Sequence, residues 1–224
     1  MKKILCIFVL LFTFVATLSI CKAEIPETWY RWNAEIDTIS INASDCSVEI
    51  LLSHNNYMTY RSNDATAINV ASIDNTLFVA LTANAVVDET LPIIYLSLPL
   101  DRQYNLEIYT THANVSLPDT TSNILANGND HSHIRILINN TSAHIIQAEI
   151  SNESHLELDL TADATDYRLD CSVLDHESHL DIDGKYDDLI GKGEYHYIKG
   201  NSATKLHITL DSNSSLALTT QTNP

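Results

Sequence analysis

Three observations predict an all-β protein built as a β-solenoid. Apolar residues alternate with polar ones at period two, one short phrase returns about every 22 residues, and no stretch carries an apolar repeat at helical spacing over three turns. The alternation runs through Ile94-Leu96-Leu98, Leu106-Ile108, Ile134-Ile136-Ile138, Ile146-Ala148-Ile150, Leu156-Leu158-Leu160, Leu206-Ile208-Leu210 and Leu216-Leu218. Ser, Thr, Asn and Asp fill the breaks, as turns require. The phrase is Ser132-His133-Ile134-Arg135-Ile136, then Ser154-His155-Leu156-Glu157-Leu158, then Ser178-His179-Leu180-Asp181-Ile182. An earlier copy is Ala113-Asn114-Val115-Ser116-Leu117, and a worn one is Ser214-Ser215-Leu216-Ala217-Leu218. Between second residues the steps are 19, 22, 24 and 36, the last stretched by an insertion around residues 184–200. Each repeat holds two or three short strands, too few to bury a face alone, and stacking the repeats gives them a shared interior. A β-sandwich also makes short alternating strands, but it does not explain the recurrence.

Taken in order, the chain opens with Lys2 and Lys3, an apolar run from Ile4 to about Ile20, and Cys21-Lys22-Ala23. A charged start, an apolar middle and a small-residue exit mark a secretory signal over residues 1–23. A lipoprotein acylated at Cys21 is the minor alternative, disfavoured by the bulky Ile20 before it. Removing residues 1–23 takes away Lys2, Lys3 and Lys22 and carries the formal charge from −17 to −20. The expected organisation is signal peptide 1–23, solenoid domain 24–218 with an irregular N-terminal cap, and polar tail 219–224. No later segment is apolar for long enough to cross a bilayer as a helix.

The 224 residues are 45% hydrophobic, enough for a sizeable core, and 5 Gly with 5 Pro exclude collagen-like and low-complexity classes. Twelve basic residues against twenty-nine acidic ones repel phosphate backbones and anionic membranes, which argues against nucleic-acid binding. Beyond the leader two cysteines remain, Cys46 and Cys171, each in register with inward apolar neighbours. Stacked in sequence they would lie about five coils apart, roughly 24 Å, far beyond the span of a disulfide.

The block Asn105-Leu106-Glu107-Ile108-Tyr109-Thr110-Thr111-His112-Ala113-Asn114-Val115-Ser116-Leu117 resembles the repeating unit of the bacterial adhesin-like families of unknown function with auto-transporter-adhesin-like heads. Cys46-Ser47-Val48-Glu49-Ile50 and Asn75-Thr76-Leu77-Phe78-Val79 are similar to that family's head strands. The stretches 166–170, 180–185 and 204–208 are similar to its late coils. The resemblance spans about residues 34–218. It implies a single-stranded right-handed β-helix on an exported protein, and it supplies no catalytic residues. Where the family turns on Ser-Gly, this chain places His, Asn or Ser, residue types of which Asn and His tolerate positive φ better than most.

Ten histidines are the unusual feature of the composition. With Ile134, Leu156 and Leu180 inward, His133, His155 and His179 point outward from equivalent places, about 4.8 Å apart if the strands are neighbours. Such a ladder is either a solvated polar column or a zinc site with Glu153 or Glu177 as carboxylate ligand. The acidic run from Asp159 to Asp188, with Asp181-Ile182-Asp183-Gly184 and Asp187-Asp188, offers oxygen ligands for calcium, or simply a charged exterior that discourages edge-to-edge pairing. Glu153-Ser154-His155 is no triad, because consecutive strand residues face opposite ways. Trp29, Tyr30 and Trp32 near the start, and Tyr186, Tyr195 and Tyr197 in the insertion, suit an end cap or a sugar-stacking surface. The expected function is a non-enzymatic, exported envelope or surface protein of adhesin-like type with a protein or glycan partner. A metal- or carbohydrate-binding solenoid is the alternative, ahead of a polysaccharide-acting enzyme.

Overall fold

The computed structural model describes residues 28–31, 36–54, 57–62, 67–82, 91, 93–99, 104–118, 123–138, 145–161, 166–183, 192–200 and 204–220. The expected signal peptide with Cys21, as well as Trp32, Asp163, Tyr186, Asp187 and Asp188, lies outside them.

Among the described residues the chain forms strands and no helix. It opens with β1 (Thr28–Arg31), β2 (Thr38–Ser44), β3 (Ser47–Ser53), β4 (Tyr57–Ser62), β5 (Ala67–Ile73), β6 (Thr76–Thr82) and β7 (Ile93–Pro99). A regular part follows: β8 (Asn105–Thr111), β9 (Asn114–Leu117), β10 (Ile124–Asn129), β11 (His133–Ile138), β12 (Ile145–Ile150), β13 (His155–Leu160), β14 (Tyr167–Val173) and β15 (His179–Ile182). The chain closes with β16 (Gly193–Lys199), β17 (Thr204–Leu210) and β18 (Ser215–Thr220).

These strands make two nine-stranded sheets. The first has the order β1-β4-β7-β3-β9-β11-β13-β18-β15 and the second β16-β14-β17-β12-β10-β8-β2-β6-β5. The chain therefore alternates between sheets, each coil giving one strand to each, and coil stacks on coil through parallel pairing. Four strands depart from this. β5 and β16 run antiparallel at the two edges of the second sheet, and β1 and β4 do so at one end of the first. β1, which carries Trp29 and Tyr30, is the outermost strand at that end.

The coils do not stack in chain order, and this corrects the sequence expectation. β6 and β7 lie outside β2 and β3, while β8 and β9 return to the other side. At the far end, β17 inserts between β12 and β14, and β18 between β13 and β15. The physical reason is that every coil presents an equivalent apolar column, so periodicity does not choose the neighbour and the connections do. The insertion holds β16, which runs back along β14 and delivers the chain to the opposite side of that strand.

Between the sheets lies one continuous core, filled by the period-two residues of both. In the second sheet Leu106, Ile124, Ile146, Leu206 and Leu169 form one inward row, and in the first Val115, Ile134, Leu156, Leu216 and Leu180 form another. Burying a side chain of this size contributes about 1.5–3 kcal/mol. Cys46 and Cys171 are free and buried. β2, which ends just before Cys46, is separated from β14 by β8, β10, β12 and β17, so the separation of about 24 Å holds despite the changed order. Burial is the main cause that pushes the Cys46 thiol up to about 11 and the Cys171 thiol up to about 12.

Gly200 makes the turn from β16 into β17 at φ 63°, and a Cβ there would collide with the Asp166 carboxylate. The carboxylate can rotate away, but the left-handed backbone remains unfavourable for a residue with a Cβ. Gly200→Ala is expected to destabilise the protein by about 1–3 kcal/mol in urea unfolding. A loss below about 0.5 kcal/mol would show that this crossover is not a tight constraint.

Candidate functional site

The corner between each second-sheet strand and its first-sheet partner is a regular feature at the margin of the core. Its residues, in stacking order, are Cys46, Ala113, Ser132, Ser154, Ser214 and Ser178, and all are buried. Each corner carbonyl accepts a backbone N–H from the next coil: Asn114 N–H donates to Cys46, His133 to Ala113, His155 to Ser132, Ser215 to Ser154 and His179 to Ser214, at 2.8–3.0 Å. The serine hydroxyls serve the corner amides as well. Ser132 Oγ accepts the Ala113 N–H at 3.3 Å, Ser154 Oγ the Ser132 N–H at 3.0 Å, and Ser178 Oγ the Ser214 N–H at 3.0 Å. In turn Ser132 and Ser214 donate to the carbonyls of Asn129 and Asp211, both at 2.6 Å.

Just before Ser132, Ser154 and Ser214 the backbone turns through the left-handed region, at Asp130-His131, Asn152-Glu153 and Ser212-Asn213. Asp45 and His112 do the same singly. The expected tolerance of Asp, Asn and His is visible here, while Glu153 and Ser212 adopt positive φ without that advantage. On the rim, His112 Nδ1 meets Asp45 Oδ1 at 2.9 Å and His131 Nε2 meets Glu153 Oε2 at 2.9 Å, each pair tying one coil to another.

His133, His155 and His179 all begin first-sheet strands, as expected, but they do not make an unbroken ladder. His133 is directly opposite His155, with ring centroids 4.9 Å apart. The inserted β18 places Ser215 opposite both His155 and His179, which sets His179 two strands from His155. His155 Nδ1 is 2.6 Å from Ser215 Oγ. His133 Nε2 lies 3.4 Å from Glu157 Oε2, within ion-pair distance but without hydrogen-bond geometry. Burial, and then the neighbouring His133 ring, pushes the His155 pKa down. Two residues along, Arg135 Nη2 holds the buried Asp159 carboxylate at 2.6 Å. Among the described residues no three His, Cys, Asp or Glu side chains converge as a metal-ion cage.

Several members of the acidic run are occupied one by one. Asp175 accepts the backbone N–H groups of Glu177 and Ser178, and Asp183 accepts the Thr220 N–H at 2.7 Å. Ser154 and Ser178 are buried corner residues, so neither stands beside the histidine that follows it.

The outer face of the second sheet holds two features that the sequence reading missed. Asp170 on β14 lies between His207 on β17 and His196 on β16 in register. Its carboxylate is 2.8 Å from His196 Nδ1, 3.6 Å from His207 Nδ1 and 2.9 Å from Arg168 Nε. The hydrogen bond with His196, then that with Arg168, holds the Asp170 pKa below its ordinary 3.8. The second feature is a shallow groove of about 380 Å³ across β2, β8, β10 and β12, with Leu125 and Ile145 among its lining. The signal for both lay in the outward-facing half of the alternation, legible only once strand order is known.

No family model matches the chain, and no curated protein does. Among solved structures, "a putative cell adhesion protein" from Clostridium sporogenes aligns with a TM-score of 0.42 at 9% identity, over 88% of this chain and 100% of that one. A "putative adhesin" from Bacteroides fragilis aligns with a TM-score of 0.38 at 10% identity, over 88% of this chain and 98% of that one. At these scores neither protein's role transfers to this chain.

Because its folded pKa is depressed, Asp170 contributes stability that is complete above pH 3.8 and is lost as pH falls through the lower folded value. Asp170→Asn is therefore expected to melt below the parent protein at pH 7, with the two midpoints converging below pH 3.8. A constant gap across that range would show that the carboxylate's charge is not what the partners recognise.

Proposed function

We propose that the chain is an exported, non-enzymatic binding protein of adhesin-like type. Its coils form a right-handed β-solenoid, and the outer face of the second sheet is its contact surface. The observation that carries this reading is the makeup of that face. Phe78 on β6 and Ile145 on β12 stand 41% and 43% exposed on it, four strands apart, with the polar side chains of Glu107 and Gln147 facing outward on the intervening and neighbouring positions. Exposed apolar groups set in a polar surround are the makeup of interaction surfaces. The non-enzymatic part rests on how the described titratable groups are used: they brace neighbouring strands and turns, and where several meet, at Asp170 with Arg168, His196 and His207, both histidines are exposed side chains tying adjacent strands together. Export rests on the Lys2-Lys3 start, the apolar run to Ile20 and the small-residue exit at residue 23, with the periplasm or the cell surface as destination.

The test is adhesion of cells carrying the full chain to surfaces coated with candidate proteins and glycans. Phe78→Asp with Ile145→Asp is expected to reduce retention at least tenfold, whereas Glu49→Ala on the opposite sheet leaves it unchanged. Equal retention by cells lacking the chain would overturn the reading.

The alternative, zinc held by His133 and His155, has the close approach of the two tilted rings in its favour, with centroids 4.9 Å apart. Zinc added after EDTA would then raise the melting midpoint saturably, and His155→Ala would remove the rise. An unchanged midpoint discards it.

A further inference from the structure

The geometry points to the groove on the second sheet as a subsite for a short, uncharged oligosaccharide lying across the strands. This inference rests on the proposed binding role of that face and adds a place and a ligand class to it.

The groove reaches from Thr38 on β2 to Gln147 on β12, three interstrand steps or roughly 14 Å, the span of a short oligosaccharide. Leu125 and Ile145 supply the apolar patch, and Asn105, Glu107, Asn123 and Gln147 surround it. Asn123 is already oriented, because its Oδ1 accepts the Ile145 backbone N–H at 3.2 Å. Its amide nitrogen is thereby left as the donor toward a ligand. The Glu107 carboxylate is hydrogen-bonded by the Tyr109 side chain, which steadies it from the neighbouring position on β8.

The ligand class follows from what this lining offers. β8, β10 and β12 are each paired on both sides, so their main-chain groups are committed and a peptide cannot be added as a strand. Recognition must come from side chains. Amides and a carboxylate around aliphatic groups match a sugar ring, whose hydroxyls each donate and accept and whose C–H face is apolar. Among the described residues the lining contains one carboxylate and no cation, a charge balance that disfavours an anionic sugar. Among the described residues the nearest cation in register is Lys205, one strand beyond Ile145 and not part of that lining.

The experiment is calorimetric titration of the full chain with neutral oligosaccharides and with acidic ones of matched length. Binding of a neutral member is expected, weakened tenfold or more by Ile145→Asp and by Gln147→Ala and left intact by Glu49→Ala. Both altered side chains lie at the surface, and circular dichroism confirms that the variants fold. Neutral sugars bound equally well by both variants would overturn the subsite, as would binding confined to acidic sugars. If no sugar binds while a protein-coated surface still retains cells through Phe78 and Ile145, the oligosaccharide inference fails and the binding role stands. If nothing of either class binds, both fall together.

Discussion

The constraint on which this fold depends is the buried corner amide. At each passage from the second sheet to the first, the chain turns inward and takes a peptide group out of water. An unpaired buried donor of this kind costs about 1–3 kcal/mol. The protein meets that cost between coils: a backbone carbonyl of one corner receives an N–H from the next, and a serine hydroxyl of one corner receives the amide of its neighbour. The hydroxyls of Ser132 and Ser214 in turn donate a hydrogen bond to a carbonyl in the same turn, and that of Ser178 donates to the Asp175 carboxylate. No coil satisfies its corner alone, so the smallest stable unit is a stack. Ala113 and Cys46 mark where the hydroxyl chain stops, toward the end of the stack where β1, β4 and β5 lie.

The same corner positions the outer surface. An inward serine at the corner makes the next side chain point outward at the first strand residue, after a left-handed turn before His133, His155 and Ser215 and after an Asp175-centred turn before His179. That is how these four residues come to share one column. On the rim, carboxylates from one coil meet histidines from another. In a protein carrying 29 acidic residues against 12 basic ones, these contacts set negative groups beside donors instead of beside one another. The second sheet's outer face is less regular, and its mixture of aliphatic and amide side chains provides the concave surface.

Much of this was legible in the sequence, for physical reasons. Alternation at Ile134-Ile136-Ile138 or Leu156-Leu158-Leu160 has one structural solution, a strand with one face buried, and those residues are buried. The returning phrase identified β9, β11, β13, β15 and β18 as equivalent, and they occupy one sheet in register. Stacking order was not legible. Leu206-Ile208-Leu210 would fit against any coil with the same spacing, and only the backbone route through β16 places it between β12 and β14. That one displacement separates His179 from His155 and brings Ser215 between them. The serines were in plain view at Ser132, Ser154, Ser178 and Ser214, but their burial has no signature in hydrophobicity. The Asp170 cluster and the groove were hidden because each is assembled from strands that neighbour one another only in the folded order.

The late insertion has a consequence in time. A chain emerging N-terminus first can stack β8 through β13 as each coil appears, because every new coil finds its neighbour already present. β14 and β15 emerge next and find no permanent seat, since the place beside β12 and β13 belongs to residues 204–220, which have not yet appeared. That end of the molecule closes last, when β17 and β18 slide in as a keystone between finished masonry and a waiting course. Assembly is thereby coupled to arrival of the last strands, and a molecule interrupted short of them keeps its final courses unlocked.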